Sequence, residues 1–118
     1  GYSLGRKLAQ RRSEFTALFA FNDPSAIAAM RAFHEAGIRI PSDVSVVGFD
    51  DIDSAGFHNP RLTTIRQPLE EMGAASARLL LRELSGETIP PGQVQIEPEL
   101  VIRESTAAAT GTRSGSWF

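Results

Sequence analysis

Apolar positions along this chain fall into two rhythms. Tyr2, Leu4, Leu8 and Ala9 recur at near-helical spacing with Arg6, Lys7 and Arg12 between them, which predicts a short amphipathic helix over residues 2–12. The stretch FTALFAF (Phe15–Phe21) breaks that rhythm, because it is apolar at nearly every position. Such a run suits a strand covered on both faces, as in a parallel sheet. In the Asn-Asp-Pro that follows, Asp23 is placed to cap a helix and Pro24 to occupy its first position, where a missing N–H costs little. Ala26, Ile27, Ala29, Met30 and Phe33 then form a helical stripe that stops at Gly37. A second apolar run, Val44–Phe49, predicts a second strand covered on both sides.

Strand, helix and strand in that order make a crossover, and a right-handed crossover leaves the two strands parallel with their carboxyl ends on one edge. Asn22 and Asp23 therefore meet Asp50 and Asp51 at a common rim, although a whole crossover separates them in sequence. Further on, PRLTTIRQP (Pro60–Pro68) reads as a short strand between prolines. Leu69, Met72, Ala75, Ser76, Leu79 and Leu80 form the inner face of a helix closed by Gly86. Glu70 and Glu71 near its start and Arg78 and Arg82 near its end follow the sign order that a helix dipole prefers. QVQIEPELVIRES predicts extended chain with Pro98 at a bend or edge. The small-residue composition of 105–118 predicts a flexible tail, with Trp117 and Phe118 frayed. The fold class is α/β.

Composition narrows the function. A chain of 118 residues, 42% apolar and 22% charged, is one ordinary globular domain or a large piece of one. A net charge of −2 argues against gripping a polyanion, and Arg6, Lys7, Arg11 and Arg12 read as the wet face of a helix. The absence of cysteine excludes disulfides, thiolate chemistry and Cys-based zinc sites. No apolar run approaches the ~18 residues of a membrane span, and the opening GYSLGRKLAQRR lacks a signal-peptide core. The start, without Met, reads as the middle of a longer protein.

In parallel α/β sheets, ligands bind beyond the carboxyl ends of the strands. Asn22 offers a donor and an acceptor there, and Asp50 offers fixed acceptors. That pair suits a polyhydroxylated or amide-bearing small molecule and repels phosphate. Asp50, Asp51 and Asp53 also supply the hard oxygens that Mg²⁺ or Ca²⁺ prefers, without the length or glycine turn of a calcium loop. His34 sits mid-helix and His58 in a loop, with no neighbours that mark a triad. There is neither a nucleophile elbow nor a glycine-rich phosphate loop, and nothing argues for an enzyme or a cofactor.

TALFAFND, IPSDVSVVGFDDI and PRLTTIRQPLEEMGAASARLLL, taken together at these spacings, closely resemble the effector-binding domain of the lactose-repressor/galactose-repressor (LacI/GalR) family over about residues 1–104. The resemblance implies a bilobed, periplasmic-binding-protein-like α/β domain that closes on a small, sugar-like effector. Residues 1–104 would be mostly its C-terminal lobe, with the helix Leu69–Leu84 belonging to the N-terminal one. The helix-turn-helix that meets operator DNA, and the first half of the effector domain, would lie outside the chain. It further implies Asn22 and Asp50 as effector contacts, with Asp51 and Asp53 structural and Phe49 core. A homodimer is implied through the helix and loop that carry Pro24, Ser25, Ile27, Ala28 and Phe57, as are a cytoplasmic location and no catalysis. Two rival readings stand beside it: a sugar-binding receptor of a transport system, and a metal-dependent enzyme using Asp50, Asp51 and Asp53.

Overall fold

In the computed structural model, which describes residues 1–89, 92 and 94–109, the predicted strand–helix–strand unit is present. β1 (Ala17–Phe19) and β2 (Ser45–Val47) pair in parallel, with Leu18 opposite Val46, and α2 (Asp23–Glu35) makes the crossover. The chain returns alongside β2 at Leu62–Thr64: Val47 and Thr63 form a parallel bridge, and the Gly48 N–H donates to the Thr63 carbonyl at 2.9 Å. One face of this sheet meets α2. Between them lie Met30, Phe33, Ile38, Val44, Val46, Ala55 and Leu62, all buried. The Phe15 ring leans on Phe33 with centroids 6.2 Å apart.

The first predicted helix is shorter than its apolar spacing suggested. α1 spans Tyr2–Ala9 and gives way to a 3₁₀ turn at Arg12–Glu14. It packs across α2 at close range, because a Cβ on Gly5 would lie 2.8 Å from the Ala29 Cα. No helix among the described residues is long and apolar enough to cross a membrane.

Neither apolar run is covered on both faces as predicted. Phe19 is 67% and Phe21 89% exposed, and β2 is fully buried only at its central Val46. Both runs are written for two covering layers, and the described residues supply one. The same holds for α4, whose bounds, Leu69–Leu84, coincide with the prediction. Its expected inner face meets nothing that buries it, and no residue of α4 is buried.

α3 (Asp53–Phe57) is a short helix where sequence suggested loop. β3 (Thr64–Arg66) and β4 (Glu99–Val101) form an antiparallel ribbon, with Ile65 opposite Leu100. Beyond β4 the chain is fastened to the core. Ser105 is completely buried; its hydroxyl donates to the Val46 carbonyl at 2.6 Å and accepts from the Thr63 N–H at 2.8 Å. Its own carbonyl accepts from the Val46 N–H at 2.8 Å, and Ala107 is tied to the Ser45 hydroxyl. Residues 105–107 are thus fastened to β2 and to the returning chain, contacts that their small, polar side chains do not announce. The remainder of the predicted tail, including Trp117 and Phe118, lies outside the described residues.

One glycine marks the tightest point of the core. A Cβ on Gly48 would stand 2.1 Å from Asp23 Oδ1 and 2.9 Å from a Leu62 methyl, both in fully buried residues. Gly48→Ala should therefore destabilise the fold by about 2 kcal/mol or more, the cost of overpacking a rigid interior. Gly56→Ala, in α3 with nothing within 4 Å of the added methyl, should be neutral or gain up to about 1 kcal/mol of helix propensity. Urea unfolding of the two variants checks the contrast.

Candidate functional site

The rim forms where β1 and β2 end. The Asp23 N–H donates to the Phe49 carbonyl at 2.8 Å, which holds Asn22 and Asp23 beside Phe49 and Asp50. Sequence reasoning put the helix cap on Asp23, but the structure puts it on Asn22. Asn22 is extended (φ −156°, ψ 170°), and its Oδ1 accepts from the Ser25 N–H at 2.9 Å. Both residue types cap well. The choice falls to Asn22 because the Asp23 carboxylate is used elsewhere, accepting from the Thr64 hydroxyl at 2.5 Å and from the Ile52 N–H at 2.9 Å. With Asn22 Oδ1 committed to α2, its amide nitrogen is the atom it can offer a ligand.

Asp50 and Asp51 have φ of 109° and 54°, in a region that L residues seldom enter. Such backbone costs on the order of 1–3 kcal/mol per residue and persists where surrounding contacts over-determine it. Those contacts are plain here. The Asp50 N–H donates to the Ile65 carbonyl at 2.9 Å, and Gln67 Nε2 donates to Asp50 Oδ1 at 2.7 Å. Asp51 receives Arg66 Nε at 2.7 Å on one oxygen and an Arg103 Nη at 2.5 Å on the other. Burial opposes ionisation of the Asp51 carboxyl, but the hydrogen bonds from Arg103 and Arg66, with their charges, outweigh it and hold the carboxyl below the ordinary carboxylate range. Asp53 opens α3 and is exposed.

These adjacent acids therefore have different surroundings. Asp50 meets one neutral amide, which a competing hydroxyl can replace. Asp51 is enclosed by two cations. Among the described residues no group of three histidines or acids could hold a metal ion, so the cluster that suggested Mg²⁺ or Ca²⁺ chemistry does not converge. His58 Nδ1 lies 3.3 Å from the Pro60 carbonyl, a backbone contact.

Gln67, Thr64, Arg66 and Arg103 escaped the sequence reading. Gln67 stands directly after a strand, yet only the return of residues 62–66 beside β2 brings it to the rim. No local pattern announces that return.

The residues named for self-association lie on another surface. Pro24, Ile27 and Ala28 line an open groove of about 1140 Å³ that also takes in Ile38, Ile52 and His58. Ser25 is tied to the Asn22 cap, and Phe57 stands out from α3 at 89% exposure. Met30 and Phe33, further along the same helix, are core. Neither Asn22 nor Asp50 lines this groove, so it is distinct from the rim where β1 and β2 end.

Residues 2–106 match the family model of a periplasmic-binding-protein-like domain. The chain is 46% identical over 98 residues to the HTH-type transcriptional regulator MalR of Streptomyces coelicolor, covering 83% of this chain and 28% of that protein. Among solved structures it resembles a transcriptional regulator CelR–cellobiose complex, with a TM-score of 0.81 and 39% identity over 88% of this chain and 32% of that one. It also resembles a lac repressor dimer bound to operator and the anti-inducer ONPF, with a TM-score of 0.82 and 34% identity over 91% and 37% of the respective chains. The chain thus spans about a third of the length of these relatives.

The arginine bracket has a pH signature. Because the folded-state value of Asp51 is depressed, its stabilisation is complete above the ordinary carboxylate range and is lost as pH falls through the folded value. Asp51→Asn should lower stability at neutral pH and make the acid limb shallower. Asp43, which side-chain and backbone hydrogen bonds from Arg39 lower from 3.8 to about 2, supplies a limb that remains in both proteins. Denaturation midpoints between pH 2 and 7 make the comparison.

Proposed function

The chain belongs to the periplasmic-binding-protein-like domain family, in the form carried by LacI/GalR-type transcriptional regulators, and from that premise we propose that it senses a small sugar and pairs regulator subunits. The observation that carries the reading is the 2.8 Å bond from Asp23 to Phe49, which sets Asn22 and Asp50 side by side at the carboxyl edge of the sheet. A carboxylate and an amide, backed by Gln67, match the mixed donors and acceptors of vicinal hydroxyl groups. Cellobiose, held by one structural relative, has that chemistry.

On this reading the protein is a non-enzymatic, cytoplasmic switch. Its operator contacts come from a part of the protein beyond these residues, as the helix-turn-helix type of its relatives suggests. Sugar binding favours one arrangement of the protein over another, and operator affinity follows by linkage. The regulator names of the relatives support this over a transport receptor, and the acids that fail to converge argue against the metal-dependent enzyme.

Calorimetric titration with cellobiose, lactose, maltose and sucrose tests the ligand. At least one should bind, and Asp50→Ala should weaken it about tenfold or more, the worth of a hydrogen bond to a charged group. Equal binding by that variant would overturn the assignment. For the pairing surface, a homodimer through Pro24, Ser25, Ile27, Ala28 and Phe57 predicts that Ile27→Glu raises the dimer dissociation constant about tenfold or more. Sedimentation equilibrium reads this directly, and an unchanged dimer moves the interface elsewhere.

A further inference from the structure

We propose that Asp51 is a positioning residue: it latches the β3–β4 ribbon to the carboxyl edge of the parallel sheet and so sets where Gln67 and α4 stand relative to Asp50. The inference rests on the reading of Asp50 as the ligand anchor, and it adds a residue that touches no ligand.

Asp51 takes one arginine from each side of the ribbon. Arg66 is the last residue of β3, and Arg103 lies just past β4. Each arginine is fixed a second time. Arg66 reaches Glu99, its register partner on β4, at 3.2 Å. Arg103 donates to the Leu62 carbonyl at 2.8 Å, and its backbone N–H to the Thr63 hydroxyl at 2.9 Å. The carboxylate therefore joins the foot of the ribbon, through Arg103, to its last cross-strand pair, Arg66 and Glu99. The Asp51 side chain is only 8% exposed and that of Arg103 17%, against 49% for Arg66, so the Arg103 arm of the bracket is the better screened from water. The left-handed backbone at Asp50 and Asp51 turns the end of β2 back towards the ribbon, a conformation these contacts keep in place.

α4 has no buried residue, so its place is set by the ribbon that leads into it. Latch and ligand anchor are adjacent on both sides: Asp51 beside Asp50, and Arg66 beside Gln67. A sugar hydroxyl that takes Asp50 Oδ1 competes with Gln67 for that oxygen. With the latch closed, the contest is felt at the ribbon's foot; with the latch broken, Gln67 moves away without consequence for the sheet.

The test reads geometry before it reads binding. The chain has no cysteine, so spin labels at Ala36→Cys and Ser85→Cys, both exposed, report the distance from the end of α2 to the end of α4 by double electron–electron resonance. Without ligand, Asp51→Asn should broaden that distribution. Arg66→Gln, which leaves Arg103 on Asp51, should broaden it less. Asp53→Asn, an equal charge change at an exposed position, should leave it unchanged. A distribution as narrow in Asp51→Asn as in the parent overturns the latch; if that variant fails to fold, Arg66→Gln decides on the same criterion. Titration with cellobiose then separates the two readings. Weaker binding by about three- to tenfold in Asp51→Asn, with Asp50 intact, supports positioning. No binding in the parent refutes that sugar as ligand, and the distances alone then decide whether the latch exists.

Discussion

The carboxylate of Asp23 is the joint on which the remaining architecture depends. It is completely buried and accepts from Thr64 on the returning chain and from the Ile52 N–H ahead of α3. An unsatisfied acid there would cost several kcal/mol, so three segments must reach it together. The position has consequences on every side. Gly48 must lack a side chain to let it in. The cap of α2 passes to the neighbouring Asn22. Thr64 is fixed at the start of β3, which decides where the ribbon leaves the sheet. Among the described residues no buried side-chain polar atom is left without a partner.

From this joint the rim inherits a division of labour. Asp50 and Asp51 share a strained turn and a residue type, yet one faces an exchangeable amide and the other two arginines. A neutral partner such as Gln67 holds an acceptor in place and is released at less cost than a cation. With two cations on Asp51 and a neutral amide on Asp50, the Asp50 contact can be exchanged without undoing the other.

Much of this was legible in the sequence for reasons of range. The helix Leu69–Leu84 was readable to the residue because a 3.6-residue period, acids first and arginines last, is a local property. The parallel crossover was readable because handedness and strand order leave few choices. The nearness of Asn22 and Asp50 followed from that topology, and the Asp23–Phe49 bond is what holds them together. What escaped was non-local. Whether Asn22 or Asp23 caps α2 is settled by Thr64, 41 residues from Asp23. Ser105 looks like tail because its partners Val46 and Thr63 lie 59 and 42 residues away. Phe19 and Phe21 read as doubly buried because their pattern records a covering layer that the described residues do not include.

The stitching of Ser105 between Val46 and Thr63 has a consequence for variation. Everything from β3 to β4, with α4 between, is an excursion whose two feet are fastened within the same small core. The entropy of closing such an excursion grows only as the logarithm of its length, about 0.6 kcal/mol for each doubling. The sheet is therefore nearly indifferent to how long the excursion is, provided that its feet keep Thr64 and Ser105. Evolution can lengthen, shorten or resurface what stands beyond the ribbon while the rim beneath it stays as it is.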